Sequence, residues 1–212
     1  MVDETYKIMK TTDRMKIVLA SNSPRRKELL GALEVNFEVR TIDGIDESYP
    51  QGLTMTGIPE HISSKKAMAY ALADVELLIT ADTIVYLDGE VLGKPANAKE
   101  ACAMLRKLSG KTHQVITGVT LRTVDRSHTF SCVTEVTFAH LTDEQIKHYV
   151  DTYSPLDKAG AYGIQEWIGY VGVTRIEGSY YNVMGLPVQR LNQELKTFMD
   201  NENDTFLDNF IY

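Results

Sequence analysis

The sequence predicts an α/β fold built on an elongated, mixed β-sheet with flanking helices. Three observations carry that expectation. Ile17-Val18-Leu19-Ala20 is a short apolar run that passes through Ser21-Asn22-Ser23 into Pro24 and a helical pattern. Apolar strand-like runs then alternate with capped helical segments along the chain. Between them, Asp88-Gly89 is a strong hairpin signal, and two long β segments near 113–124 and 128–139 are joined by only Asp125-Arg126-Ser127. Crossover units favour parallel pairs and hairpins antiparallel ones, so the sheet is expected to mix both.

Taken in order, the first strand leads to a helix with Ser23 as N-cap and Pro24 in its first turn. Leu29, Leu30 and Leu33 give that helix a face to bury. Val35 to Val39 alternates apolar and polar residues, as a strand covered on one face does. An acidic loop, Asp43-Gly44-Ile45-Asp46-Glu47, precedes a helix expected from Glu60 to Ala73, with Ile62, Ala69 and Leu72 turned inward. Val75 to Ala81 reads as a buried strand ending at Asp82-Thr83, followed by a second strand, Ile84 to Leu87. Asn97 opens a helix that carries Ala101, Met104, Leu105 and Leu108 inward and stops at Ser109-Gly110. Thr142-Asp143-Glu144-Gln145 is a capping box for a helix to about Asp151. The glycine-rich segment from Tyr153 to Trp167 reads as a functional loop, and a strand is expected near Tyr170 to Ile176. Gly185-Leu186-Pro187 opens a last helix to about Met199. The expected organisation is an N-terminal extension over 1–15, one catalytic domain over 16–199 and a polar tail over 200–212.

Composition bounds the partners. The chain has 212 residues and a formal net charge of -7. An acidic balance argues against a broad nucleic-acid or membrane surface, so any phosphate site must be a local basic pocket for a small ligand. Cys102 and Cys132 read as reduced core residues, and no CxxC or HExxH spacing points to zinc. Met1 to Lys16 lacks the apolar segment of a signal peptide, and no apolar run approaches membrane-spanning length, so a cytoplasmic protein is expected.

The strand–loop–helix stretch is the first chemical signal. Backbone N–H groups at a helix start and the helix dipole favour an anion, and Arg25 and Arg26 in the first turn fit an anion shared with them. The alternative is a surface helix with a basic start. Asp82, placed at the expected strand end, can bind a cation, accept a proton or cap a turn. Asp46 and Glu47 offer further oxygen ligands to a hard divalent ion, and Lys66 and Lys94 can neutralise a polyphosphate. Lys65 and Lys66 read equally as a solvated helix face. The set resembles the parts of a metal-assisted phosphate-transfer site, and no Walker A sequence is present.

The chain also resembles the Maf nucleotide pyrophosphatases. Ser21-Asn22-Ser23-Pro24-Arg25-Arg26-Lys27-Glu28-Leu29-Leu30 is similar to the family's opening signature. Ala81-Asp82-Thr83, Gly89 to Pro95, Leu108 to Val115, Pro155 to Gln165 and Gly178 to Pro187 match in order. The resemblance implies a fold like that of the inosine triphosphate pyrophosphatases, with two lobes around a central cleft, and often a homodimer. It implies hydrolysis of a nucleoside triphosphate to the monophosphate and pyrophosphate with a divalent cation, magnesium or manganese. The aspartate matching Asp82 is the family's proton acceptor, and the positions of Arg25, Thr83 and Gln165 are linked to substrate choice. Arg25-Arg26 and Ile164-Gln165 look like the subfamily acting on dTTP and UTP. The expected substrate-binding set is Ser21, Ser23, Arg25, Arg26, Lys66, Thr83, Lys94, Lys158 and Gln165, with Glu47 and Asp82 at the metal. Arg25 is the candidate for fixing the Gln165 amide. Two alternatives stay open: the same chemistry on 7-methyl-GTP or another modified nucleotide, and a non-catalytic nucleotide sensor acting in cell division.

Overall fold

The computed structural model describes residues 15–208, with side chains described through residue 200. Most of the expected extension over 1–15 therefore lies outside the described residues, as do the last four residues of the expected tail.

Seven strands, β1 (Lys16–Leu19), β2 (Phe37–Val39), β3 (Glu76–Leu87), β4 (Glu90–Leu92), β5 (Thr112–Arg122), β6 (Ser127–Phe138) and β7 (Val173–Glu177), form one mixed sheet in the order β2-β1-β3-β5-β6-β7, with β4 paired to β3 off that path. The chain begins with β1 (Lys16–Leu19), helix α1 (Pro24–Gly31) and the edge strand β2 (Phe37–Val39). Ser23 caps α1 and Pro24 fills its first position, as the sequence requires. Helix α2 (Gly57–Met68) then crosses one face of the sheet. It starts and ends earlier than expected, and its buried residues are Ile58, Pro59, Ile62, Ser63 and Ala67. Ala69 lies past its end and is exposed, so the expectation that it packs inward fails.

β3 runs unbroken from Glu76 to Leu87. The expected break at Asp82-Thr83 is absent because β5 (Thr112–Arg122) pairs continuously with β3 from Leu78 to Tyr86, directly through both residues. Pairing on one long edge overrides the weak local break that polar residues suggest. The Asp88-Gly89 turn, with φ of 51° and 89°, returns the chain into β4 (Glu90–Leu92).

Helix α3 (Ala98–Leu108) buries Ala101, Met104, Leu105 and Leu108, the face the pattern indicated. β5 and β6 (Ser127–Phe138) form the long hairpin, and α4 (Asp143–Tyr153) carries both bonds of its capping box. Instead of a strand from Tyr170, helix α5 (Trp167–Gly172) leads into β7 (Val173–Glu177). A short helix α6 (Tyr180–Met184) precedes α7 (Val188–Asp208), which runs past Met199. Cys102 and Cys132 are free thiols, each half-buried rather than deep in the core.

Two faces of the sheet are packed differently. One carries the main core against α1, α3, α4 and α7, including Leu19, Ile79, Val85, Leu105, Tyr149 and Leu191. The other is covered by α2 through smaller clusters, Val18-Ala67-Tyr70-Leu78 and Ile58-Ile62-Ile84-Ile116. Successive β3 residues alternate between these faces.

Deep in the main core, His113 is 2% exposed, its Nε2 is 2.8 Å from the Tyr162 hydroxyl, and its Nδ1 has no partner. Burial lowers its pKa to about 4. An unfolded histidine titrates near ~6.5, so between those values the unfolded chain takes up a proton the native state refuses. Stability should therefore fall as pH drops from ~6.5 towards ~4, by up to roughly 3 kcal/mol from this group, with no contribution above that window. Thermal unfolding of wild type and His113→Gln at pH 7, 6, 5 and 4 checks this. The variant should lose part of the slope in that range, and identical slopes would remove His113 as its source.

Candidate active site

One edge of β3 belongs to β5. On the other, β1 pairs with Glu76 to Ile79 and β4 pairs with Val85 to Leu87. Between them, Thr80 to Ile84 has no strand beside it. β1 stops because its chain turns away at Ser21 to start α1; its last link is the Ala20 N–H donating to the Ile79 carbonyl at 2.9 Å. A cavity of about 550 Å³ opens over this gap, and Asp82 sits in its wall. The strand end that makes the site is that of β1, one strand away from the end the sequence pointed to.

Alternation puts Asp82 and Thr83 on opposite faces of β3, and cations reach them from opposite sides. From α2, Lys66 donates to Asp82 Oδ1 at 2.7 Å and lies 2.8 Å from Glu47 Oε1. Its side chain is only 15% exposed, so the solvated-face alternative for Lys66 does not hold. Lys65, one residue away, is the solvated one; it takes Asp46 at 2.6 Å. Asp46 is thereby turned from the cleft and bonded also to Ser48, so of the acidic pair only Glu47 faces the site. Burial pushes the Glu47 carboxyl up, but the hydrogen bond and charge of Lys66, with help from Lys94 and Arg26, hold it below the usual carboxylate range. Lys94 stands 3.9 Å from Glu47 and is mostly exposed.

From α1, Arg26 donates through Nη2 to Thr83 Oγ1 at 3.0 Å and through Nε to the Gly185 carbonyl at 2.8 Å. Burial lowers its pKa and the Asp82 charge opposes that, but guanidinium remains charged at any ordinary pH. Both acceptors are neutral, and among the described residues no carboxylate pairs with it. A half-buried cation with no ion-pair partner of its own marks an anion position. Its supports were invisible in the sequence. Thr83 Oγ1 is 3.0 Å from Thr117 Oγ1, which donates to the Asn182 carbonyl at 3.1 Å. The Asn182 amide in turn donates to Val115 O, Cys132 O and Thr134 Oγ1. Asn182 lay inside a recognised motif, but nothing local told its role.

Ser21 is buried and accepts from the Ser23 N–H at 3.2 Å, while Ser23 Oγ is occupied in capping Arg26 N–H at 3.5 Å. Both line the cleft through the turn they shape. Arg25 makes no hydrogen bond to the Gln165 amide oxygen, contrary to expectation. It donates to Asp157 at 3.1 Å, and Asp157 also takes Lys158 at 2.8 Å. Lys158 lies 3.1 Å from Glu166 as well, so its ammonium is balanced within the protein. Gln165 lines the cleft on this side, and its Oε1 is buried without a partner.

The cleft thus has two electrically different walls. Arg25, Asp157, Lys158 and Glu166 cancel one another on the side of residues 157–166. On the other, Arg26, Lys66 and Lys94 gather around Asp82 and Glu47, with Asp43 also lining the cleft. A divalent metal fits the second wall: Asp82 and Glu47 already converge on one cation, the Lys66 ammonium. Among the described residues no three His, Cys, Asp or Glu side chains gather into a cage. Two carboxylates with the remaining oxygens from a ligand and water is a set suited to magnesium.

The fold and this cleft define an α/β protein with a basic, carboxylate-bearing pocket at a break in its sheet. A family model for Maf-like proteins matches residues 16–198, and the chain belongs to that family. It is similar to a dTTP/UTP pyrophosphatase of Phocaeicola vulgatus, 60% identical over 191 residues, which spans 89% of this chain and 99% of the relative. A dTTP/UTP pyrophosphatase of Porphyromonas gingivalis is 54% identical over 189 residues, 87% of this chain and 95% of the relative. Among solved structures, a HAM1 protein from Coxiella burnetii aligns over 86% of this chain and 99% of its own with a TM-score of 0.48 and 17% identity. No helix among the described residues is long and apolar enough to cross a membrane.

The position of Lys66 depends on how closely α2 approaches the sheet. Gly118 lies opposite Asp82 in the register, and a Cβ there would stand 2.4 Å from the Pro59 carbonyl carbon and 2.5 Å from Glu60 N. Backbone cannot yield as a side chain can, so Gly118→Ala should destabilise the protein by ~1–3 kcal/mol. Gly93→Ala, with nothing within 4 Å of its added carbon, is the control. A melting temperature unchanged in Gly118→Ala would mean that α2 is not seated on Gly118.

Proposed function

We propose that this protein hydrolyses nucleoside triphosphates, dTTP and UTP foremost, to the monophosphate and pyrophosphate. The observation that carries this reading is that one gap in the edge of β3 presents Asp82, held by Lys66, on one face and Arg26, a cation held only by neutral acceptors, on the other. The dTTP/UTP pyrophosphatase name borne by relatives at 54% and 60% identity supports the base preference.

The cationic wall binds the triphosphate through Arg26, Lys66 and Lys94, and the neutral wall receives the base. Asp82 Oδ1 is held by Lys66, which orients the carboxylate. Asp82 accepts the proton of a water attacking the α-phosphorus; the bond from that phosphorus to its bridging oxygen breaks and pyrophosphate leaves. Glu47 and Asp82 would hold a divalent cation, magnesium or manganese, which when bound neutralises phosphate charge. Lys66 donates to Asp82 and contacts Glu47, which leaves a third N–H of its ammonium for the phosphates. The enzyme works in the cytoplasm in this reading, on free nucleotides rather than nucleic acid.

Gln165 reads the base. Its unpartnered Oε1 is an acceptor waiting for a donor, and its amide N–H₂ lies beside it. Uracil and thymine offer N3–H next to O4, which matches that pair. Guanine presents N1–H and N2–H, two donors that suit a carboxylate instead.

Asp82→Asn keeps the side-chain shape and removes the base, so kcat should fall by ~10²–10⁴. Chromatography of the products from UTP with magnesium checks both the reaction and the loss; near-full turnover in the variant would remove Asp82 from the role. Gln165→Glu should lower kcat/KM for UTP and dTTP by roughly ten- to a hundred-fold and shift the ratio towards GTP. Kinetics on UTP, dTTP, CTP and GTP separate this from a loop-anchoring role, which predicts an equal fall on all four.

A further inference from the structure

We propose that Tyr149, a residue of the main core, is a positioning residue for the base side of the cleft. This rests on the reading that Gln165 meets the base. Tyr149 belongs to α4 and is fully buried, its ring stacked on Tyr153 with centroids 5.1 Å apart. Its hydroxyl donates to Glu166 Oε2 and accepts the Gly163 N–H at 3.0 Å. Gly163 and Glu166 flank Ile164 and Gln165, so one oxygen ties down both ends of the segment that carries the amide.

The same oxygen is the inner end of a longer chain of contacts. Glu166 Oε1 meets Lys158 Nζ at 3.1 Å, Lys158 donates to Asp157 at 2.8 Å, and Asp157 accepts from Arg25 at 3.1 Å. The neutral wall is therefore braced from the core outward to the start of α1. Gly163 allows the close turn, since a Cβ there would lie 2.9 to 3.1 Å from the Glu166 carboxyl group. Burial, and then the Glu166 bond, push the Tyr149 hydroxyl far above its ordinary pKa, so it stays a donor throughout the working range. The phosphate side has its own supports in Thr117 and Asn182, which do not involve Tyr149. Removing the hydroxyl should accordingly loosen base recognition and leave phosphate binding alone.

Tyr149→Phe deletes that one oxygen and keeps the ring. On the full-length protein, KM for UTP and dTTP should rise roughly tenfold while kcat stays within about twofold, and the preference for UTP over GTP should shrink. Inhibition of UTP hydrolysis by inorganic triphosphate, which has no base, should keep its wild-type constant. Glu166→Gln, which retains an acceptor for Tyr149 but drops the charge facing Lys158, should move KM in the same direction by less, and it serves alone should Tyr149→Phe fail to fold. A fall in kcat with KM unchanged, an equal weakening of UTP and inorganic triphosphate, or an unaltered UTP-to-GTP ratio would each overturn the proposal. If the wild type released no pyrophosphate from UTP or dTTP, the functional reading itself would fall, and this proposal with it.

Discussion

β3 has two partners on one edge and a gap between them, and the rest of the molecule is arranged around that gap. A strand in mid-sheet normally has both edges paired, because unpaired buried N–H and C=O groups are costly. Here β1 ends early so that its chain can turn into α1, and β4 begins late, returning through the Asp88-Gly89 turn. The open stretch from Thr80 to Ile84 is stable because β5 pairs with it fully on the other side. A rigid backbone thus presents Asp82 and Thr83 to a ligand without the mobility of a loop.

Strand alternation then determines the electrostatics. Side chains that are neighbours in sequence face opposite ways, so each needs its own partner layer. α2, drawn close over Gly118, brings Lys66 to Asp82. α1, on the main-core side, brings Arg26 to Thr83. A chain with a net charge of -7 can hold a polyphosphate in this way, because Arg26, Lys66 and Lys94 are gathered on one wall while the charges of the facing wall pair among themselves. The division suits a ligand with an anionic end and an uncharged aromatic end.

Much of this was legible in the sequence, and the reasons are local. Ser23-Pro24 dictates a capped helix start, Asp88-Gly89 a tight hairpin, Thr142 to Gln145 a capping box, and the spacing of Ala101, Met104, Leu105 and Leu108 a buried face. Those features depend on hydrogen bonds and side chains within a few residues of one another, so the pattern specifies them. The ordered motifs from Ser21 to Pro187 likewise marked the family and most of the residues that line the cleft.

What the sequence left open was decided by partners far along the chain. Asp82-Thr83 reads as a strand end until β5 pairs straight through it. Lys65 and Lys66 are adjacent and chemically identical, and only the seating of α2 sends one to exposed Asp46 and the other to Asp82 and Glu47. Arg25 turns to Asp157 rather than Gln165, and Tyr149 reaches Gly163 and Glu166, because the 157–166 segment folds back against α1 and α4. The sequence by itself determined the elements and the kinds of chemical group available. Tertiary packing alone chose which charge meets which, since an ion pair depends on distances of a few ångströms between residues that local pattern does not relate.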